Sequence, residues 1–251
     1  MAEFTALITG GASEIGQEII RLIYHSRNYN IIITETLNLI QEARQYAESL
    51  KSPEYGFIEV YELDFEQDGS ISSFINQIKG RHTINSLIHV AGINIMKDFF
   101  EWRLEEWEKV MRINATSSFF LAQEVAQLMI QKQVEGSIVL ISSQHGVVAN
   151  YERVPYCVSK GMIIQLTKAL ALELAHHRIR VNCVSPTFVL TERNRSKLEN
   201  SWFQKEALAN IPLQKYALPI DVANGVVFLN GETARMVTGH NLMIDGGWTI
   251  R

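Results

Sequence analysis

The chain has 251 residues, room for one large domain or two small ones, and its 23 Lys+Arg against 27 Asp+Glu give a formal charge of −4. Hydrophobic residues make up 47% and charged residues 20%, an ordinary globular balance that gives no reason to expect nucleic acid or an acidic membrane surface as a partner. The two cysteines, Cys157 and Cys183, are too few for a secreted disulfide scaffold, and no apolar run approaches 18 residues.

Residues 1–4 enter a strand pattern at once, with no basic segment and long apolar core ahead of it, so a cytoplasmic location is expected. The first apolar run, 6–9, predicts a strand that leads into Thr9-Gly10-Gly11-Ala12-Ser13-Glu14-Ile15-Gly16 and a helix. A glycine turn before a helix presents backbone N–H groups and the positive end of the helix dipole to a phosphate. A plain tight turn is the alternative. A nucleotide loop of this kind normally carries a third glycine at position 14. Glu14 suits the helix dipole there but also occupies the field meant for the phosphates, which predicts a working, weakened site.

The second run, 31–34, closes on Glu35, 19 residues after Gly16 and near the spacing of about 20 for an acid that binds an adenosine ribose. A solvated carboxylate after a strand is the plainer alternative. Further runs at 57–63, 86–90, 137–141, 180–185 and 241–244 predict five more strands. The stretches between them have helical spacing, as at 105–133, where Trp107, Val110, Met111, Asn114, Phe119, Leu121 and Val125 recur at threes and fours. Strand alternating with helix is the pattern of a parallel sheet covered on both faces and doubly wound. No linker or repeat divides residues 1–251, so one domain is expected. The polar and aromatic 187–216 segment interrupts the rhythm; it is either a lid at the carboxyl edge of the sheet or a surface excursion.

Ser142 and Ser143 end the fifth run. Thirteen residues after Ser143, Tyr156-Cys157-Val158-Ser159-Lys160 opens a helix. Tyr156 and Lys160 share a helical face at i, i+4, so the ammonium can lie beside the phenol, favour the phenolate and make it a usable acid or base. An ordinary amphipathic helix can carry the same pair by chance.

With these residues on one edge, the chain resembles the short-chain dehydrogenases/reductases over essentially its whole length. The resemblance rests on the Thr9–Gly16 loop, Asp64, Ala91-Gly92, Asn114, Ser143, Tyr156, Lys160, Pro186 with Thr191, and Asp245-Gly246-Gly247. It implies an α/β single-domain Rossmann fold with a seven-stranded parallel sheet, and a nicotinamide cofactor. It also implies hydride transfer at an alcohol or carbonyl carbon.

By resemblance Tyr156 carries the proton, Lys160 lowers its pKa and holds the nicotinamide ribose, Ser143 bonds the substrate oxygen, and Asn114 supports a relay water. Cofactor residues are then Gly10, Ser13, Ile15, Gly16, Glu35, Asp64, Phe65, Ala91, Gly92, Tyr156, Lys160, Pro186, Val189 and Thr191. Glu35 accepts ribose hydroxyls and repels a 2′-phosphate, and no Arg or Lys lies at 9–16 or 34–40, so NAD is expected. No metal is expected.

Three positions depart from the family pattern. Glu14 replaces a glycine, His89-Val90 replaces two asparagines, and Thr187 replaces a glycine. Asn94, His145 and Arg153, with the tail Gly246-Gly247-Trp248-Thr249-Ile250-Arg251, look like the D-3-hydroxybutyrate dehydrogenases within the family. That likeness implies a small 3-hydroxy acid whose carboxylate these side chains hold, with Asn94, Ser143, His145, Arg153 and Tyr156 as substrate residues. The basic residue there is a lysine, the amide a glutamine, and an aromatic at the position of Phe188 a tryptophan. A 3-oxoacyl thioester, a sugar or a polyol remain alternatives, as does a dehydrogenase-like binding protein. A homodimer or homotetramer, through the helices near 105–133 and 155–176, is also implied.

Overall fold

Seven strands form one parallel sheet: β1 (Phe4–Thr9), β2 (Tyr29–Glu35), β3 (Ile58–Glu62), β4 (Ser86–His89), β5 (Ser137–Ile141), β6 (Arg180–Pro186) and β7 (Asn241–Ile244). Their order is β3-β2-β1-β4-β5-β6-β7. The computed structural model describes residues 4–26 and 29–250; the expected strand start at residues 1–3 and the tail's Arg251 lie outside them. All seven apolar runs are strands, their ends shifted by two residues at most. The third begins at Ile58, leaving Phe57 part-exposed.

The helices are α1 (Glu14–His25), α2 (Ile40–Leu50), α3 (Ser70–Ile78), α4 (Leu104–Met111), α5 (Ser117–Gln131), α6 (Val154–Leu174), α7 (Arg195–Leu198), α8 (Ser201–Ala209) and α9 (Pro219–Asn230). Successive strand side chains point to opposite faces. Ile8 and Ile33 therefore pack on one side with Ile19, Ile20 and Val226 of α1 and α9. Leu7 and Ile32 pack on the other with Leu121, Val125 and Ile163 of α5 and α6. Both faces are covered, which is why the strands read as continuous apolar runs.

Two elements differ from the sequence reading. The expected continuous helix at 105–133 is α4 and α5 joined by a π turn, Arg112–Thr116. The 187–216 segment holds two short helices, and Val189 pairs with Ala217 in an isolated bridge.

Candidate functional site

β1 lies between β2 and β4, so the strand order reverses there and opens a crevice at the carboxyl edge, where ligands of open α/β sheets bind. The glycine turn sits in that crevice. Gly10 has φ +68°, and a Cβ on it would meet the Ala91 nitrogen at 2.9 Å. A Cβ on Gly16 would come within 2.4 Å of the Gly10 carbonyl. Ser13 caps α1, its Oγ accepting from the Gly16 N–H at 3.1 Å and donating to the Gly10 carbonyl at 2.7 Å.

Beside this turn is a cavity of about 260 Å³ lined by Gly10, Ser13, Glu35, Asp64, Phe65, Ala91 and Gly92. Glu35 is buried, and its two carboxylate oxygens accept from the backbone N–H groups of Ala12 (3.0 Å) and Thr36 (2.9 Å). Arg193, which the sequence reading did not single out, also lines it. The Glu14 carboxylate turns away to the 187–216 segment, where Oε1 accepts from the Glu192 N–H at 2.8 Å. Glycines at the close approaches, N–H groups at a helix N-terminus and an acid at the end of β2 fit a dinucleotide.

His89 replaces an asparagine without leaving a polar gap. Thr9 Oγ1 accepts from the N–H groups of Val90 (3.1 Å) and Ala91 (3.2 Å), so its own proton goes to His89 Nδ1 at 2.8 Å. His89 Nε2 then donates to Ser117 Oγ at 3.1 Å, and that hydroxyl donates to the Ile113 carbonyl in the π turn. Burial, with Lys160 adding to it, lowers the His89 pKa to about 3, so the ring is neutral as this chain of bonds requires.

The same π turn presents Asn114. Its Oδ1 accepts from the Ile93 N–H at 2.8 Å, and its Nδ2 donates to the Ile93 carbonyl (2.9 Å) and Ser159 Oγ (3.0 Å). Asn114 thereby fixes the strand edge just past Gly92. A Cβ on Gly92 would lie 3.3 Å from both Asn114 Oδ1 and Lys160 Nζ.

A second cavity, about 310 Å³, adjoins on the β5–α6 side and is lined by Asn94, Ser143, His145, Arg153 and Tyr156. Ile15, Val189 and Thr191 also face it, while Pro186 ends β6 one residue before Thr187, which lines it. Pro155, in the first turn of α6, lacks an N–H that the helix would not use there. Tyr156 follows, and Lys160 stands one turn on. Lys160 Nζ donates to the Ile141 carbonyl at 2.8 Å and lies 5.7 Å from the centre of the Tyr156 ring.

Burial raises the Tyr156 pKa above its ordinary value, opposed by the nearby Ser143 hydroxyl and by the charge of Arg153. Lys160 places its ammonium beside the phenol while donating one N–H to the Ile141 carbonyl, and burial lowers its own pKa to about 8. Tyr156 is thus a protonated phenol that shares this cavity with Ser143.

His145 is also neutral, its pKa lowered to about 4 by burial and by Arg153. Phe188 and Trp248 flank its ring edge-on at 5.8 and 6.4 Å. Arg153 is 5% exposed, not on an open loop. Glu152 before it has φ +61°, a left-handed turn that carries Arg153 inward. Arg153 donates Nε–H to the Tyr151 carbonyl, and among the described residues no carboxylate lies within ion-pair distance of it. Gln144, Thr187 and Lys197 line this cavity too, although the sequence reading gave them no role.

Two larger hollows, about 550 and 630 Å³, lie at α3 with α4 and α5 and at the amino ends of the strands. Neither adjoins the glycine turn or Tyr156, and the second is on the edge opposite to ligand binding in such sheets. Among the described residues no group of three His, Cys, Asp or Glu side chains is placed to hold a metal. No helix among them is long and apolar enough to cross a membrane.

A family profile described as Enoyl-(Acyl carrier protein) reductase matches residues 10–249. The chain is 34% identical to the 3-oxoacyl-[acyl-carrier-protein] reductase FabG of Buchnera aphidicola subsp. Schizaphis graminum, over 97% of this chain and 96% of that protein. It is 31% identical to the NAD-dependent glycerol dehydrogenase of Listeria innocua, over 98% and 94%. The solved structure of a gluconate 5-dehydrogenase from Burkholderia cenocepacia, in complex with NADP and tartrate, superposes with a TM-score of 0.91 at 25% identity, covering 100% of this chain and 97% of that one.

Proposed function

The chain belongs to the short-chain dehydrogenases/reductases, oxidoreductases that act on CH–OH groups, and we propose that it interconverts a small hydroxy acid and its keto acid with NAD. The observation that carries the substrate reading is Arg153. A buried guanidinium in ion-pair contact with no carboxylate among the described residues, in the cavity that holds Tyr156 and Ser143, is a site for a carboxylate, although the Glu152 charge lies near it. The gluconate 5-dehydrogenase among its relatives acts on a carboxylate by its name. Asn94 and His145 complete the polar wall, His145 as a neutral imidazole.

The cofactor, when bound, takes up or supplies the hydride. Everything else falls to the chain. Ser143 and Tyr156 hold the substrate oxygen between them. In reduction the Tyr156 hydroxyl gives its proton to that oxygen; in oxidation it receives one. Lys160, anchored on Ile141, holds positive charge beside the phenol and orients the nicotinamide ribose. Asn114 pins Ile93 and so the floor beneath the nicotinamide. Gly10, Gly16 and the first turn of α1 receive the pyrophosphate, Glu35 the adenosine ribose, Asp64 and Phe65 the adenine side.

NAD follows from Glu35, whose buried charge opposes a 2′-phosphate. Arg193 in the same wall favours a second reading, NADP, since a guanidinium can hold that phosphate. The 187–216 segment is the lid: Glu192 is hydrogen-bonded to Glu14, and Phe188, Val189 and Thr191 cover the second cavity. Trp107 and Phe120 beside the π turn, and Met162 and Leu172 on α6, are exposed apolar side chains that fit a homodimer or homotetramer.

The test is a panel of alcohols, polyols, hydroxy acids and 3-hydroxyacyl thioesters with NAD and NADP, followed at the NADH absorbance. Turnover of hydroxy acids with NAD is the expected result. Turnover of thioesters or neutral alcohols alone would overturn the substrate reading.

A further inference from the structure

Unpartnered polar atoms gather at one place in this fold. Among the described residues six buried side-chain nitrogen or oxygen atoms have no hydrogen-bond partner within the protein, and four of them belong to Gln144, His145 and Thr187. All three residues line the Tyr156 cavity. Gln144 is 1% exposed with neither amide atom bonded, and Thr187 is 8% exposed with its hydroxyl unbonded.

A buried amide or hydroxyl without a partner is costly, and folded proteins keep few of them. The chemistry does not require these two. Proton transfer uses Tyr156 and Ser143, and a carboxylate uses Arg153. Methionine at 144 or valine at 187 would fill the same space without unmet bonds. Gln144 offers one acceptor and two donors, and Thr187 offers one of each kind. An alcohol is both donor and acceptor, so a substrate hydroxyl has the chemistry that each of these residues lacks. An alkyl or acyl chain in their place would leave all three atoms dry.

We propose that Gln144 and Thr187 form a hydroxyl-recognising subsite, and that the substrate is a short polyhydroxy carboxylate with hydroxyl groups beyond the one that reacts. The proposal rests on the carboxylate reading of Arg153. It names two specificity-determining residues that neither hydride transfer nor charge recognition uses.

The experiment compares kcat/KM for threonate and erythronate with that for 3-hydroxybutyrate, in the wild type, Gln144→Met and Thr187→Val, with thermal midpoints of each protein measured alongside. The wild type is expected to prefer the polyhydroxy acids by about 10²-fold, because a site built to bond a hydroxyl rejects the analogue that lacks it. Each variant should collapse that ratio, chiefly through a fall on the polyhydroxy acids. Each should also melt at or above the wild-type temperature, since an unmet polar group has been removed.

A wild type that favours 3-hydroxybutyrate, or variants that lose both acids equally and melt lower, would overturn the subsite. Neutral threitol and its dideoxy analogue, butane-2,3-diol, separate the two readings. Equal turnover of threitol and threonate, both far above their deoxy analogues, would sink the carboxylate at Arg153 and keep the subsite. Preference for acids regardless of hydroxyl count would do the reverse. Turnover of none of these compounds would overturn both.

Discussion

Glu14 and Glu192 are joined: the Glu192 backbone N–H donates to Glu14 Oε1 at 2.8 Å, tying the first turn of α1 to the 187–216 segment. The acid that stands where a glycine was expected thus holds a loop as well as placing charge at the first turn of α1. These two effects separate by substitution. Glu14→Gln keeps an acceptor for Glu192 and removes the charge. It should tighten NADH about 5-fold at low salt, the scale of about 1 kcal/mol for a charge at a helix N-terminus, with the gain shrinking at high salt. NADH fluorescence titration reads this. Weaker binding by Glu14→Gln would show that the charge itself assists the cofactor. Glu14→Gly frees the lid as well, so it should gain less than Glu14→Gln.

His89 makes stability depend on pH. In the folded protein its pKa is lowered to about 3 by burial, while in the unfolded chain a histidine titrates near 6.5. Between those values the unfolded chain binds the extra proton, so acid favours unfolding. The contribution is full above about pH 6.5 and is lost as pH falls from there toward 3. At pH 5 the loss is about 2 kcal/mol, or roughly 4–8 °C in thermal midpoint for a chain of this size. His145, lowered to about 4, acts in the same direction. His89→Asn should shrink the fall in midpoint between pH 7.5 and 5; an identical fall in both proteins would contradict the assignment.

Tyr156→Phe should lower turnover by at least roughly 10²–10⁴-fold while NADH binds almost as before, because only the proton carrier and one bond to the substrate oxygen are removed. Steady-state rates and NADH fluorescence check the two halves separately. Retention of most of the activity would remove Tyr156 from the chemistry.

The fold and much of the site were legible because both obey short-range rules. Seven apolar runs at strand length mark seven strands, and the glycines at 10 and 16 mark approaches too close for a side chain. The i, i+4 pair of Tyr156 and Lys160 lies on one helix face as its spacing requires, and the five expected substrate residues share one cavity. What escaped depends on tertiary contact. Nothing local says that Lys160 also bonds the Ile141 carbonyl, or that Glu14 reaches Glu192 of the 187–216 segment. The π turn at Arg112–Thr116 breaks a helix whose apolar spacing runs on unbroken. Arg193 and Gln144 carry no motif, and Thr187 stood out only as a departure from one; only the closing of the chain places the three on cavity walls.

Cofactor choice rests on Glu35. With its buried carboxylate at the ribose position, kcat/KM with NAD should exceed that with NADP by about 10-fold or more, the scale of a charged hydrogen bond. Arg193→Ala should leave turnover with NAD near the wild-type value. A clear NADP preference in the wild type, abolished by Arg193→Ala, would establish Arg193 as a phosphate ligand and reverse the assignment.

The central claim is that a carboxylate-bearing alcohol reacts at Tyr156 with its acid group on Arg153. The most direct measurement is kcat/KM of the wild type and Arg153→Met on a hydroxy acid and on a neutral alcohol of the same length. Loss of a charge-assisted pair worth about 1.5–3 kcal/mol should raise KM for the acid by roughly 10–10²-fold, with the neutral alcohol little affected. Equal losses on both substrates would make Arg153 a structural residue and contradict the account.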